Sequence, residues 1–476
     1  MDNEFIIKDD KMEEACGVFG IYAPGEDVAK LTYYGLYALQ HRGQESAGIA
    51  VSDGAEIRLQ KAMGLVSEVF SEELLAKLTG NSAIGHVRYS TTGSSLFINA
   101  QPLMCRYLQG SIAMAHNGNL TNAHELRDKL AANGSVFQTG TDSEIIVNLI
   151  ARYGQSGIED ALLKSMIDLK GTYSLVIMTE DKVIGVRDPY GNRPLCLGKL
   201  GERYLIASES CAIDALGAEF IRDVEPGEMV VIDEHGLTSR RFISACEPAS
   251  CIFEYIYFAR PDSNIDGINV MQARRAMGRE LAKEHPVEAD LVIPVPDSGI
   301  AGALGYAEAL GAAFEMGLIK NRYVGRTFIK PNQNERESAV RIKLNPIGRI
   351  VEGKRVAILD DSIVRGTTSK KIVEMMRKKG AKEVHMLISS PPVINPCYYG
   401  IDTSERAQLI AAKLSVAEIS KCLEVDSLNY LSLDGLYRAL NKKCGFCAAC
   451  LNGHYPIEIS PHGLKKEGKT CARIKN

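Results

Sequence analysis

The sequence predicts two differently built halves: an α+β region over roughly the first 250 residues, then an α/β region around a parallel sheet, with a helical extension at the C-terminal end. Three observations lead there. The chain has 476 residues, too many for a single core at roughly 150 residues per domain. Up to about Cys246, short apolar runs are separated by Gly turns, the pattern of many antiparallel strands. From about Asp266, apolar runs alternate regularly with helical stretches, which argues for parallel strands joined by crossover helices.

In the first half the strand candidates include CGVFGIY, SAGIAVS, SAIGHVRYS, GSIAMAHNG, TYSLVIMT and KVIGVRD, with helical periodicity over 28–40, 123–133 and 143–153. In the second half a helix is expected over 271–284, then the strand in ADLVIPVP, a long small-residue helix after Ser298, the strand RVAILDD, a helix after Thr368 and the strand EVHMLIS. Residues 404–440 read as helical and charged, and the last residues are rich in Cys and Lys. The expected units are a leader over 1–15, domains over 16–249 and 250–420, and an extension over 421–476.

Composition excludes several classes. Lys+Arg 55 against Asp+Glu 59, with 45% hydrophobic and 24% charged residues, is an ordinary globular balance. It argues against a general nucleic-acid binder and against a disordered chain. The acidic first fifteen residues lack the basic start and long apolar run of a secretory signal, and no apolar stretch reaches spanning length. The expectation is therefore a cytoplasmic protein without a membrane partner. In a reducing compartment its 12 cysteines would not form a disulfide framework, so their spacing must reveal nucleophiles, metal ligands and core residues.

Cys16 opens CGVFGIY directly after the acidic leader. Removal of that leader would put a thiol and an α-amine on one residue, and an amine of pKa near 7.7–8.0 can accept the thiol's proton at neutral pH. CGVFGIY, LQHRGQESAGIA, GHVRYSTTG, AHNGNLTNA and TGTDSE, in that order, resemble the N-terminal-nucleophile glutamine amidotransferases. The resemblance implies an αββα glutaminase domain in which Cys16 attacks the glutamine side-chain amide. It implies an oxyanion hole from Asn117 and the Gly118 backbone N–H, with Arg88 on the substrate carboxylate and Asp142 on its ammonium. Asp142 can also cap the helix that follows it. Gly43 can end the helix before it, with His41 and Arg42 meeting its last carbonyls in a structural or gating role. His86 and His116, in strand-like runs, are expected to be structural.

RVAILDDSIVRGTTS, residues 355–369, ends an apolar strand in two carboxylates and opens a helix with hydroxyl-bearing residues. Carboxylates there can hold ribose hydroxyls or magnesium, and a helix N-terminus can cradle phosphate. The string resembles the phosphoribosyl pyrophosphate motif of type I phosphoribosyltransferases. That implies Asp360 and Asp361 at the ribose and magnesium, with Arg365, Gly366, Thr367, Thr368 and Ser369 around the 5′-phosphate. In LVIPVPDSGIAGALG, Ser298 is similar to a further magnesium-site residue and the 297–299 turn to a pyrophosphate loop. The long basic segment KNRYVGRTFIKPNQNERESAVRIKLNPI reads as a lid, with Arg326, Thr327, Lys330 and Arg341 as pyrophosphate contacts.

KKCGFCAACLNG holds overlapping C-x-x-C pairs, which by thiol chemistry suit zinc or an iron–sulfur cluster. ASCIFEYIYFARPDSNIDG and PPVINPCYYGIDT resemble the flanks of the distant ligands in the iron–sulfur branch of the amidophosphoribosyltransferases. The resemblance implies a [4Fe–4S] set of Cys251, Cys397, Cys447 and Cys450, with Cys444 as a neighbouring substitute. Together the halves resemble that family, which implies synthesis of 5-phosphoribosylamine for purines, purine-nucleotide inhibitors and a homotetramer. A hexosamine-forming amidotransferase lacks the 355–369 motif, and a non-catalytic nucleotide sensor would have no use for Cys16, Asn117 and Asp142.

Overall fold

The structure is a computed structural model that describes residues 16–89, 96–243, 246–321, 323, 343–403, 405–442 and 444–459. In the first half two antiparallel sheets lie face to face. One has seven strands, in the order Glu219–Asp223, Cys196–Leu200, Arg203–Ala207, Gly17–Tyr22, Ser82–Arg88, Ser46–Ser52 and Ile57–Met63. The other has six, in the order Gly236–Arg241, Glu228–Asp233, Val183–Arg187, Gly171–Met178, Gly110–Leu120 and Leu103–Tyr107. Val18, Ile84, Ala113, Ala115, Val176 and Ile206 pack between the sheets. Phe19 and Ile21, on the opposite face of the first strand, pack under helices Val28–Ala38 and Ser210–Ala215. Helices Ala123–Ala132, Ser143–Tyr153 and Ile158–Asp168 cover the six-stranded sheet. Central strands are thus apolar on both faces, which is why they read as continuous hydrophobic runs. This is the expected αββα arrangement.

The second half carries a parallel sheet in the order Leu291–Pro294, Arg355–Asp360, Glu383–Ile388 and Ser427–Tyr430. Its strands end at the Pro-Asp-Ser-Gly turn and at the paired carboxylates, so both loops leave the same sheet edge. Two expectations need correction. Residues 404–440, read as helical, contain the helices Val416–Leu423 and Leu433–Ala439, but the strand Ser427–Tyr430 lies between them and pairs with Glu383–Ile388. The second unit therefore runs beyond residue 420; Leu428 and Tyr430, apolar at alternate positions, pack into its core. The helix after Ser298 spans only Ile300–Leu310 and stops at Gly311 in the left-handed conformation (φ 65°). A ribbon of Leu318–Lys320 with Leu344–Pro346 follows, and Arg326, Thr327, Lys330 and Arg341 beyond it lie outside the described residues.

Helices Val270–Glu284 and Ile300–Leu310 meet through glycines. A Cβ on Gly278 would sit 1.9 Å from the Gly302 carbonyl oxygen, and one on Gly305 at 1.9 Å from the Arg275 carbonyl oxygen. Backbone contact at that distance leaves no side chain to yield, and overpacking of this kind costs about 1–3 kcal/mol. Gly278→Ala is expected to lower the melting temperature clearly, whereas Ala substitution at Gly348, whose nearest neighbour is the flexible Lys379 side chain at 3.5 Å, is expected to leave it almost unchanged; calorimetry on the two variants checks this.

Candidate active sites and cysteine centre

Cys16 stands at the head of Gly17–Tyr22, in the middle of the seven-stranded sheet, where Gly17 pairs with Val87. Its sulfur lies 3.4 Å from the Tyr89 carbonyl oxygen and 3.5 Å from the Tyr89 N–H nitrogen. Burial pushes the thiol up, while the Tyr89 hydrogen bond and the Arg88 charge pull it back. From the neighbouring strand Ser82–Arg88, His86 bridges to the facing sheet, its Nε2 3.1 Å from the His116 carbonyl oxygen. Asn117 and Gly118 follow His116 directly. The Asn117 Nδ2 is buried with no hydrogen-bond partner among the described residues, a costly arrangement that calls for an explanation. Gly118 has φ 148°, and a Cβ there would lie 2.1 Å from the Thr172 carbonyl oxygen.

Around this group, Arg88 Nη1 donates to Glu45 Oε1 at 2.5 Å. Asp142 occupies the N-cap position of Ser143–Tyr153 but makes no capping bond. Its Oδ2 instead accepts from the Leu120 N–H at 2.8 Å, because the end of Gly110–Leu120 lies beside it. His116 Nδ1 is 3.0 Å from Ser143 Oγ. Burial drives His86 down to about 3 and lowers His116 as well, so both rings are neutral near pH 7.

Gly43 does end the 3₁₀ turn Gln40–Arg42, its N–H donating to the Gln40 carbonyl oxygen, but the expectation that His41 and Arg42 meet the last helix carbonyls is corrected. Gly43 is extended (φ −159°) and serves close packing, since a Cβ would lie 2.6 Å from the Val87 carbonyl carbon. Arg42 points inward and is 1% exposed. Its Nε donates to the Cys16 carbonyl oxygen at 3.1 Å, and its Nη atoms form a fork on Glu254 at 2.8 and 3.0 Å. Nη1 also meets Glu209, which accepts from Ser263 Oγ and the Arg260 N–H and lies 2.7 Å from His41 Nε2. Arg193 Nη1 adds a third donor to Glu254, on the Oε1 that Arg42 Nη2 also meets, at 3.3 Å. This network was missed in the sequence; the signal was Glu254, a lone charge inside SCIFEYIYF.

At the edge of the parallel sheet, Asp360 and Asp361 are buried, 2% and 1% exposed. The Asp361 N–H donates to Asp360 Oδ1, and Ser362 Oγ donates to Asp361 Oδ1. Gly366, at φ 82°, turns the chain into the helix Thr367–Lys378, so Thr367, Thr368 and buried Ser369 form its first turn. Arg365 Nη2 rests on Gln408 Oε1 at 2.7 Å. Next door, Ser298 follows Asp297, whose carboxylate is 3.0 Å from Lys320 Nζ. These hard oxygen donors suit magnesium, which keeps much of its shell as water and substrate oxygen.

Cys251, Cys397, Cys447 and Cys450 line one small cavity with Asn192, Arg193, Tyr399 and Tyr455. Cys251 and Cys447 are partners in the parallel bridge of Ser250–Cys251 with Phe446–Cys447. The Ile394 and Asn395 N–H groups both donate to the Cys450 carbonyl, which brings in the loop carrying Cys397. Among the described residues no three His, Cys, Asp or Glu side chains are grouped around a single ion point. The four thiols fit a cluster in another respect: Arg193 Nε, buried in the cavity wall, lacks a hydrogen-bond partner among the described residues, and its charge would oppose that of four thiolates. Cys444 is exposed and does not line the cavity. The cavity adjoins the first half: Arg193 Nη2 and Thr172 Oγ1 donate to the Tyr399 carbonyl, and Asn119 Nδ2 to that of Tyr398.

Residues 86–215 match the model of a glutamine amidotransferase domain. An amidophosphoribosyltransferase of Bacillus subtilis is 52% identical over 454 residues, covering 94% of this chain and 95% of that protein. One from Methanocaldococcus jannaschii is 51% identical over 463 residues, 94% and 98% of the respective chains. Among solved structures, the B. subtilis glutamine phosphoribosylpyrophosphate amidotransferase complexed with ADP and GMP aligns with a TM-score of 0.89 at 52% identity, covering 94% of this chain and 98% of that one.

Interactions with Arg42 and His41 hold the Glu209 carboxyl well below the usual carboxylate range despite its burial. Its contribution to stability is therefore complete above the unfolded pKa near 4.3 and is lost as pH falls toward the depressed folded value. Arg42→Met leaves buried carboxylates short of a partner and is expected to cost about 3–5 kcal/mol at pH 7. That penalty should shrink below about pH 4, where carboxylates can be protonated; denaturant midpoints of wild type and variant across pH check it.

Proposed function

The chain belongs to the amidophosphoribosyltransferase family, and on that premise we propose how its own residues divide the reaction. The enzyme makes 5-phosphoribosylamine, glutamate and pyrophosphate from glutamine, water and phosphoribosyl pyrophosphate, the first committed step of de novo purine biosynthesis. After loss of residues 1–15, the α-amine of Cys16 takes the thiol proton and the sulfur attacks the glutamine side-chain amide. The oxyanion forms against Asn117 Nδ2 and the Gly118 N–H. Ammonia departs, leaving a thioester that water hydrolyses to glutamate. Arg88, which rests on Glu45, takes the substrate carboxylate, and Asp142 its ammonium. The observation that best supports this division is the buried, unpartnered Asn117 Nδ2 beside a glycine with positive φ.

In the second half, Asp360 and Asp361 hold the ribose hydroxyls, and Arg365, Gly366, Thr367, Thr368 and Ser369 the 5′-phosphate. Ammonia attacks C1 with inversion and displaces pyrophosphate, which Arg326, Thr327, Lys330 and Arg341 receive. Asp360, Asp361 and Ser298 would hold magnesium, which when bound would supply charge compensation for the departing group. Cys251, Cys397, Cys447 and Cys450 would hold a [4Fe–4S] cluster, which when bound would supply a structural or oxygen-responsive element, since neither half-reaction moves electrons. The first catalytic unit covers 16–249 and the second runs from 250 through Tyr430. A cytoplasmic homotetramer inhibited by purine nucleotides completes the reading; the ADP and GMP in the B. subtilis complex support the last point.

Cys16→Ala is expected to abolish glutamine-dependent synthesis while retaining the ammonia-dependent rate; loss of both in a folded variant would refute separate sites. Asp361→Ala should abolish phosphoribosylamine formation from either donor. Anaerobically purified protein should carry about four irons and four acid-labile sulfides per chain, and Cys447→Ser should lose most of both; iron-free wild type with unmodified thiols would refute the cluster.

A further inference from the structure

Glu254 lies in the second half of the chain, in the π-helical turn Glu254–Phe258, yet its carboxylate is spent wholly on arginines of the first half. The two Nη atoms of Arg42 grip it as a fork, and the remaining Nε of the same guanidinium donates to the carbonyl oxygen of Cys16. A planar guanidinium fixes these directions together, so moving Glu254 must rotate the donor on Cys16. Both side chains in this chain of contacts, Glu254 and Arg42, are out of water, and no solvent can substitute for a misplaced partner. On its other side the turn is held by Arg274 of Val270–Glu284. Its Nε donates to the Tyr255 carbonyl at 2.9 Å and its Nη2 to that of Ala259 at 2.8 Å.

We propose that Glu254 is a positioning residue for the glutamine half-reaction: held in its Arg274-braced turn, it sets the placement of Cys16 through Arg42. The proposal rests on the assignment of Cys16 as nucleophile. It differs from a purely structural ion pair in what it affects. A structural pair would weaken both half-reactions in step with stability, whereas a positioning pair acts on the step that uses the sulfur.

The test uses the full-length processed enzyme with Glu254→Gln, which keeps shape and removes charge, and Arg42→Lys, which keeps charge but cannot span Glu254 and the Cys16 carbonyl at once. The expected result for each is a fall of at least about tenfold in kcat with glutamine, a KM for glutamine within about threefold, and an ammonia-dependent rate within about twofold of wild type. The double variant should be no worse than the more damaged single one. Equal losses with both nitrogen donors, or an unchanged glutamine kcat in either folded variant, would overturn the proposal; should one variant fail to fold, the other decides. If wild type itself forms no phosphoribosylamine from glutamine, the underlying functional reading fails instead.

Discussion

The molecule depends on a dry electrostatic knot: Arg42 and Arg193 against Glu209 and Glu254, all buried. Four charges can stay out of water only if each has an opposite partner in good geometry, since desolvation costs several kcal/mol per ion. That requirement ties together segments remote in sequence. The turn after the first helix, the loop before Cys196–Leu200, the start of Ser210–Ala215 and the turn after Cys251 must all arrive for any one charge to be satisfied. Cys16 is attached to this knot by its carbonyl oxygen, and the cysteine cavity by the Arg193 side chain.

The same economy explains why the two catalytic halves adjoin at the loop around Tyr399. Its carbonyl accepts from Arg193 and Thr172, and Gly400 approaches Gly118 so closely that a Cβ would lie 3.2 Å from the Gly118 carbonyl. The loop that brings Cys397 to the other thiols is thus packed on the strand proposed to stabilise the oxyanion.

Much of the fold was legible in the sequence because local and tertiary demands agree. Asp27 and Asn269 cap the helices Val28–Ala38 and Val270–Glu284 through their side chains, as residues at those positions should. Strands buried on both faces announce themselves as apolar runs. Where readings failed, a neighbour distant in sequence had captured the group: Asp142 was drawn from its helix to the Leu120 amide, and Arg42 from helix carbonyls to buried carboxylates. Ser427–Tyr430 escaped notice because a four-residue edge strand has too few positions to show a period.

By itself the sequence determined the two-part architecture, the family, and the residue types at each reacting centre, since motifs such as CGVFGIY and RVAILDDSIVRGTTS join chemistry to local geometry within a dozen residues. Only the tertiary structure decided who partners whom across hundreds of positions: Cys251 beside Cys447, Arg193 in the wall of their cavity, and Glu254 on Arg42. Burial is the physical reason. A charge or thiol in water is indifferent to distant sequence, but once excluded from water its free energy rests on whichever partner the fold delivers.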